Sequence, residues 1–488
     1  VKRQIRRLGI AMLVLYGALF VQLNVVQVLR ADKYNRNPAN IRAVTRDYGR
    51  PRGQIVSADG AVLARSLPDD SHFKRRREYP EHDLFGQVTG YFSFTYGSDG
   101  VEKTYNSELA GRSTKGSVKN LLDLLTDEEH TNDVVLTLNK SVQQVAKQEL
   151  GNRKGSVVAI DPRDGSILAL WSFPSYDPEP LSATDQDAAD IARSGVLLNK
   201  DNPLLPRSFR ETFFPGSTFK VVTSSAGLSS GKVTPEAPVY PQETQFLPPH
   251  TTRPIRNFGG ERCGGNLFQI LEISCNTSFA HMGVDLGAET LVGQAQAFGF
   301  GEQPPIDLPR PASSPIESVE FFKQNVPLLA QTAIGQNTVR ATPLQMALVA
   351  AGIANRGVVM TPHVLKEIRD DKGDVVRQYR PTAWRTAVSP EVAATVRDAM
   401  VQVVEHGTAT RLHVPGVPTA GKTGTAQIGN GSSHTWIIGF APATAPRVAI
   451  AVIVESQTGA SEATGGRVAA PIGEKVLAAA LNAVSATP

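Results

Sequence analysis

The sequence predicts an α+β fold whose main antiparallel sheet is assembled from both ends of one long segment. Three observations carry this. Residues 156–161 (SVVAID) and 167–172 (ILALWS) are two β-rich runs around Pro162-Arg163-Asp164-Gly165, which makes a hairpin. Three further strand-like runs, 420–427, 435–441 and 447–454, come only near the end of the chain. The stretch between is rich in helical patterning, so strands, a helical insertion and strands again give one sheet with a cleft where the insertion meets it.

Taken in order, the elements begin with an apolar run. Leu8 to Val21 carries no charge, and apolar residues continue through Gln22, Asn24 and Gln27 to Leu29. Residues 8–29 as a helix span roughly 33 Å, which matches a hydrocarbon core of about 30 Å. Lys2, Arg3, Arg6 and Arg7 precede the run and no acidic residue occurs before Asp32, so the N-terminus is expected in the cytoplasm and the rest outside. Val28-Leu29-Arg30-Ala31-Asp32 offers no small-x-small cleavage site, and residues 1–30 read as an uncleaved single-pass anchor. Gln54 to Ala64 reads as a hairpin on the turn-forming pair Asp59-Gly60. Val134 to Gly151 reads as a strand followed by a helix that stops at the glycine. A boundary there divides a mixed α/β proximal domain, 31–152, from the larger domain, 153–488. Thr342-Pro343-Leu344-Gln345 opens a helix with a capping box and proline at its first position, stopping near Gly357. A last helix is expected from about Pro471 to Val484.

Composition narrows the function classes. At 488 residues, 41% hydrophobic and 20% charged, the chain is ordinary globular protein of roughly two or three domains. Its net charge of +4 equals the four basic residues at the start, so the remainder is neutral, which argues against nucleic acid as a partner. The run Lys74 to Arg77 reads as a solvated strand face. Nine scattered histidines without paired spacing give no support for a metal, and no motif calls for a cofactor.

Pro215-Gly216-Ser217-Thr218-Phe219-Lys220 leads into an apolar helical run. Positions i and i+3 of a helix share a face, which places Ser217 and Lys220 within hydrogen-bonding reach. A lysine there takes the hydroxyl proton only as a neutral amine, so burial or a second cation must lower its pKa. Ser71-His72-Phe73-Lys74 and Ser229-Ser230-Gly231-Lys232 repeat the Ser-x-x-Lys spacing, but neither combines a breaker with a helix start. Ser274-Cys275-Asn276, the one Ser-x-Asn, could present a hydroxyl and an amide to the cleft, although such a tripeptide is more often a helix cap. Lys422-Thr423-Gly424-Thr425 opens a late strand, where Gly424 allows close backbone approach, the lysine adds charge and the threonines can bind a carboxylate. Residues 416–423 also match the P-loop pattern, yet prolines 415 and 418 and glycines 424, 429 and 431 leave no helix to cradle phosphate.

The order Ser-x-x-Lys, Ser-x-Asn, Lys-Thr-Gly is that of serine acyltransferases that react with penicillin. The chain resembles the class B penicillin-binding proteins, most closely the actinobacterial penicillin-binding protein A group. The resemblance extends to RGQI at 52–55, GVEKTYNSELAG at 100–111, AIDPRDGSILAL at 159–170, PSYDP at 174–178, IGQ at 334–336, TPLQMA at 342–347 and HTWIIGFAP at 434–442. It implies a penicillin-binding transpeptidase domain, β-lactamase-like in fold, on a membrane-proximal pedestal. It also implies that Ser217 is acylated, Lys220 is its base, Ser274 relays protons and Asn276 holds the substrate amide. Lys422, Thr423 and Thr425 would bind the terminal carboxylate, with Gly424 between them, and the N–H groups of Ser217 and Thr425 would form the oxyanion hole. The implied reaction is D,D-transpeptidation of D-Ala-D-Ala stem peptides in cell-wall synthesis for cell shape or division, with β-lactams as inhibitors. Alternatives are a D,D-carboxypeptidase, or a penicillin-sensing or scaffold protein on the same fold. Cys275 stands where relatives that hydrolyse penicillin often have Asp, and no pattern marks their water-activating glutamate; this favours a β-lactam target over a β-lactamase. About 120 residues between anchor and boundary are too few for a glycosyltransferase domain, so the resemblance implies a separate SEDS-type glycosyltransferase as partner.

Cys263 and Cys275 are the two cysteines. An oxidising location and the flexible glycines around Cys263 favour a disulfide between them, although a buried free thiol is the common alternative.

Overall fold

The computed structural model describes residues 2–25, 48–112, 131–429, 431–458 and 464–486. The end of the predicted anchor, 26–30, and the segment 28–32 read for cleavage lie outside the described residues. The N-terminal helix runs Lys2–Asn24 with a mean hydropathy of 1.5 in its most apolar stretch and no side chain buried against the rest.

The central sheet has five antiparallel strands in the order Ala420–Gly429, Ser432–Ala441, Val448–Thr458, Gly155–Ile160 and Ile167–Phe173. The early hairpin and the three late runs meet as expected. The pairing of Val448–Thr458 with Gly155–Ile160 joins the two ends, and both strands bury every residue along their paired stretch, as a strand covered on both faces does. One face carries the helix Pro343–Ala354, buried along its whole length. The C-terminal helix and the helix Lys140–Leu150 pack against each other beside the sheet.

Four expectations are corrected. The capping box at Thr342 is half formed. Thr342 accepts from Gln345 N, but the Gln345 side chain donates to Phe298 O at 2.7 Å, because this helix start is packed inside rather than facing water. The last helix spans Gly465–Ala486, six residues earlier than its proline suggested. Pro471 costs it one hydrogen bond in the second turn. Gly465 and Gly466 look like breakers but are needed small: a Cβ on Gly465 would lie 2.2 Å from Trp436 O. Arg77 is not on a solvated face. It is 4% exposed and its Nε donates to Glu102 at 2.7 Å. Finally, Ser217 lies in a 3₁₀ turn rather than in the α-helix itself.

The proximal sheet draws strands from both parts of the chain. Its six strands run Val375–Gln378, Leu365–Arg369, Asp133–Leu136, Ile55–Val56, Val62–Pro68 and Arg75–Glu78, so two come from beyond residue 360. Ile55–Val56 and Val62–Pro68 form the hairpin expected around Gly60, whose φ is +84°.

Candidate active site

Gly216–Phe219 is a 3₁₀ turn that runs straight into the helix Lys220–Ser229. In such a turn residues i and i+3 eclipse, which puts Ser217 and Lys220 on one face. Gly216 has φ +55°, the left-handed region that glycine enters without steric cost, and donates its N–H to Gly335 O at 2.9 Å. A Cβ on Gly335 would lie 1.9 Å from Gly216 O, so the 334–336 segment grips the turn from one side. From the other side comes the edge strand Ala420–Gly429, where a Cβ on Gly424 would sit 2.8 Å from Pro215 O. Ser217 itself is half-buried.

Lys220 is fully buried. Its Nζ donates to Ser274 O at 2.7 Å, Ser274 Oγ at 3.3 Å and Asn276 Oδ1 at 2.7 Å. Three acceptors on the neighbouring loop thus hold the amine. Lys422, also buried, donates to the same Ser274 Oγ at 2.8 Å. Burial brings the Lys422 pKa down to about 7. Burial, and then the Lys422 charge, push Lys220 well below the ordinary lysine value.

The loop that carries Ser274 is built by two helix ends. Leu267–Glu272 opens on an Asn266–Gln269 capping box and closes with Ser274 N donating to Leu271 O and Cys275 N to Ile270 O. That pair of bonds is a Schellman ending, and it forces its αL position on Ser274, at φ +61°, where glycine is usual. Cys275 then opens the helix Asn276–Leu286. Asn276 Nδ2 donates to Arg256 O at 3.1 Å, so its amide is oriented from both ends. Cys275 is joined to Cys263 by a disulfide with Cα atoms 5.9 Å apart. Cys263 belongs to the short strand Cys263–Gly265, paired with Tyr240–Glu243, and the bridge ties that ribbon to the Ser274 loop.

Along the edge strand Lys422 reaches Ser274 and Gly424 passes close to Pro215, with Thr423 and Thr425 alternating between and after them. Thr423 Oγ1 is 2.6 Å from Thr408 Oγ1, and Thr425 Oγ1 accepts from Gly465 N at 3.3 Å. Thr408, Gly465 and Arg256 were not singled out from the sequence. Each acts here through a contact far along the chain, and no local spacing marks it.

The rival motifs fall elsewhere. Ser71 and Lys74 close a tight turn before a strand, and Lys232 donates to the carbonyls of Asp285 and Leu286 at a helix end. The P-loop match continues into the edge strand, with no helix after it.

A serine one turn ahead of a buried lysine, and a second serine hydroxyl shared by two such lysines, define a serine acyltransferase site against the edge of an antiparallel sheet. Residues 155–478 match the penicillin binding protein transpeptidase domain, and residues 52–135 match the penicillin binding protein A dimerisation domain. The chain belongs to the class B penicillin-binding proteins, in the penicillin-binding protein A group. It is 38% identical to the peptidoglycan D,D-transpeptidase PbpA of Mycolicibacterium smegmatis over 98% of this chain and 99% of that one. Its identity to the PbpA of Mycobacterium tuberculosis is 36%, again over 98% and 99%. The ceftriaxone acyl-enzyme complex of penicillin-binding protein A from M. tuberculosis superimposes with a TM-score of 0.83 at 36% identity, covering 90% of this chain and 100% of that one.

Proposed function

We propose that the protein is a peptidoglycan D,D-transpeptidase that cross-links stem peptides through a serine acyl-enzyme and is inactivated by β-lactams. The observation that carries this is the Ser274 hydroxyl, held between Lys220 and Lys422 beside the Ser217 turn. Ser217 attacks the penultimate carbonyl of a D-Ala-D-Ala end, and neutral Lys220 takes its proton directly or through Ser274. The N–H groups of Ser217 and Thr425 stabilise the oxyanion. Asn276 holds the donor amide, and Lys422, Thr423 and Thr425 bind the terminal carboxylate, with Gly424 leaving room between strand and turn. D-alanine leaves, and an amine from a neighbouring stem takes the acyl group. Transfer to water would make the protein a carboxypeptidase; the D,D-transpeptidase names of its near full-length relatives support the amine.

On this reading residues 1–30 anchor the protein in the bacterial cell membrane, 31–152 form the pedestal and 153–488 form the catalytic domain outside the cytoplasm. The pedestal and anchor are the surfaces for a SEDS-type glycosyltransferase, which supplies the glycan strands.

The test uses the full chain in detergent with a labelled stem pentapeptide and an amine acceptor. A cross-linked product, loss of one D-alanine and a penicilloyl adduct on Ser217 by mass spectrometry are expected. Tetrapeptide alone would identify a carboxypeptidase, and an adduct on Ser71 or Ser229 would remove Ser217 from its role.

A further inference from the structure

The two threonines of the edge strand are both supplied with a partner on the oxygen side. Gly465, the first residue of the C-terminal helix, donates its N–H to Thr425 Oγ1 at 3.3 Å. A hydroxyl has a single proton, so an oxygen that already accepts is left with that proton to give. A carboxylate only accepts, and a pocket for one must therefore offer donors. Thr423 shares a hydrogen bond with another hydroxyl in which either oxygen can donate, and it keeps its proton for a ligand only when that partner is the donor. Thr408 Oγ1, at 2.6 Å, is the group in place.

Thr408 is held there by a hydrogen bond and two close backbone approaches. Its N–H donates to Glu272 O at 3.3 Å, the last carbonyl of the helix that delivers Ser274. Gly407 lets the chain pass this close, since a Cβ there would lie 2.3 Å from the same oxygen. On the opposite side a Cβ on Gly466 would lie 2.3 Å from Thr408 O. Thr408 thus joins the Ser274 helix, the edge strand and the start of the C-terminal helix at one point.

We propose that Thr408 is a positioning residue for the acyl donor's terminal carboxylate: it donates its hydroxyl proton to Thr423 Oγ1, so that the Thr423 proton is aimed at the ligand. This rests on the reading of Thr423 as a carboxylate contact. Thr408 touches Thr423 and not the reacting atoms.

The experiment measures second-order acylation by benzylpenicillin and by its methyl ester, which lacks the carboxylate, using the full chain in detergent. Thr408→Val keeps the shape and removes the hydroxyl. It is expected to slow the acid by about tenfold, the worth of one hydrogen bond in a charged chain, and to leave the ester rate within about twofold. Thr408→Ser should restore the acid rate, and the melting temperatures of the variants should agree with the parent. An equal loss on acid and ester, or no loss on either, overturns the proposal. Thr423→Val separates the two levels. If it is selective for the acid while Thr408→Val is not, the carboxylate contact stands and the positioning role falls. If Thr423→Val slows both ligands alike, the contact itself is wrong and the role of Thr408 goes with it.

Discussion

Two buried lysines share one serine hydroxyl, and their charges cannot both be cheap. Lys220 works as a base only when neutral, so acylation should rise with pH through its lowered pKa. Lys422 holds its proton below about 7 and loses it above, and a carboxylate partner loses that charge with it. The expected profile of acylation against pH is a bell that rises as Lys220 loses its proton and falls as Lys422 loses its own; a rate that is flat with pH contradicts the assignment. Stability carries the same signature with its own sign. Between about 7 in the folded chain and 10.5 in the unfolded one, unfolding takes up a proton at Lys422, so stability rises with pH across that window and the full penalty is present below it. Lys422→Met should flatten this slope in urea titrations and stabilise the neutral-pH protein by about 1 kcal/mol, while weakening acylation. Ser274 adds a second local cost, its φ of +61°. Ser274→Gly should remove the strain, leave unfolding free energy within about 1 kcal/mol of the parent or above it, and abolish efficient acylation. If that variant acylates at the parent rate, Ser274 has no part in the chemistry.

At the scale of elements, the site is a meeting of ends: a 3₁₀ turn, a Schellman ending, a helix start and an edge strand. The Cys263–Cys275 bridge acts here because Cys275 lies between Ser274 and Asn276. Closing a ring of about a dozen residues contributes roughly 3 kcal/mol in the chain-entropy model. The local effect should be larger, since a misplaced loop of small amplitude costs catalysis more than it costs folding. Cys263→Ala is expected to slow penicillin acylation about tenfold at 25 °C, where the chain stays folded. Titration of the denatured, unreduced parent should find no free thiol.

At the scale of the whole molecule, the proximal and central sheets are not independent, because Leu365–Arg369 and Val375–Gln378, far along the chain, extend the proximal sheet. Asp307 accepts from Val364 N, Leu365 N and Tyr105 OH at 2.6, 2.9 and 2.5 Å, which pins that crossing to the pedestal. The pedestal's own centre is Glu102, fully buried, with Arg52 at 2.6 Å and Arg77 at 2.7 Å. Burial raises the Glu102 pKa, but the two guanidiniums outweigh it and keep the carboxylate ionised. Glu102→Gln leaves two buried cations without an anion and should cost about 3–5 kcal/mol. Because the sheets share a core, calorimetry should show the loss as a lower midpoint of one common transition. A separate, unshifted transition for the catalytic part would show that the two units fold apart.

The sequence alone determined what short spacing can encode. Ser217 and Lys220 lie three apart, Ser274 and Asn276 two apart, and Lys422 to Thr425 form one alternating stretch. The hairpins at 54–64 and 156–172 carry their turn residues within them, and the apolar run at the start declares itself by length. Tertiary structure decided what depends on partners far along the chain. Arg77 is buried because Glu102 meets it, and the C-terminal helix begins at Gly465 because a neighbouring backbone leaves room only for glycine. Lys220 meets Ser274, and Thr408 reaches Thr423, because separate elements converge on one edge strand. A motif is local chemistry written in consecutive residues. Which face it presents, and to whom, is set by packing among segments that share no spacing.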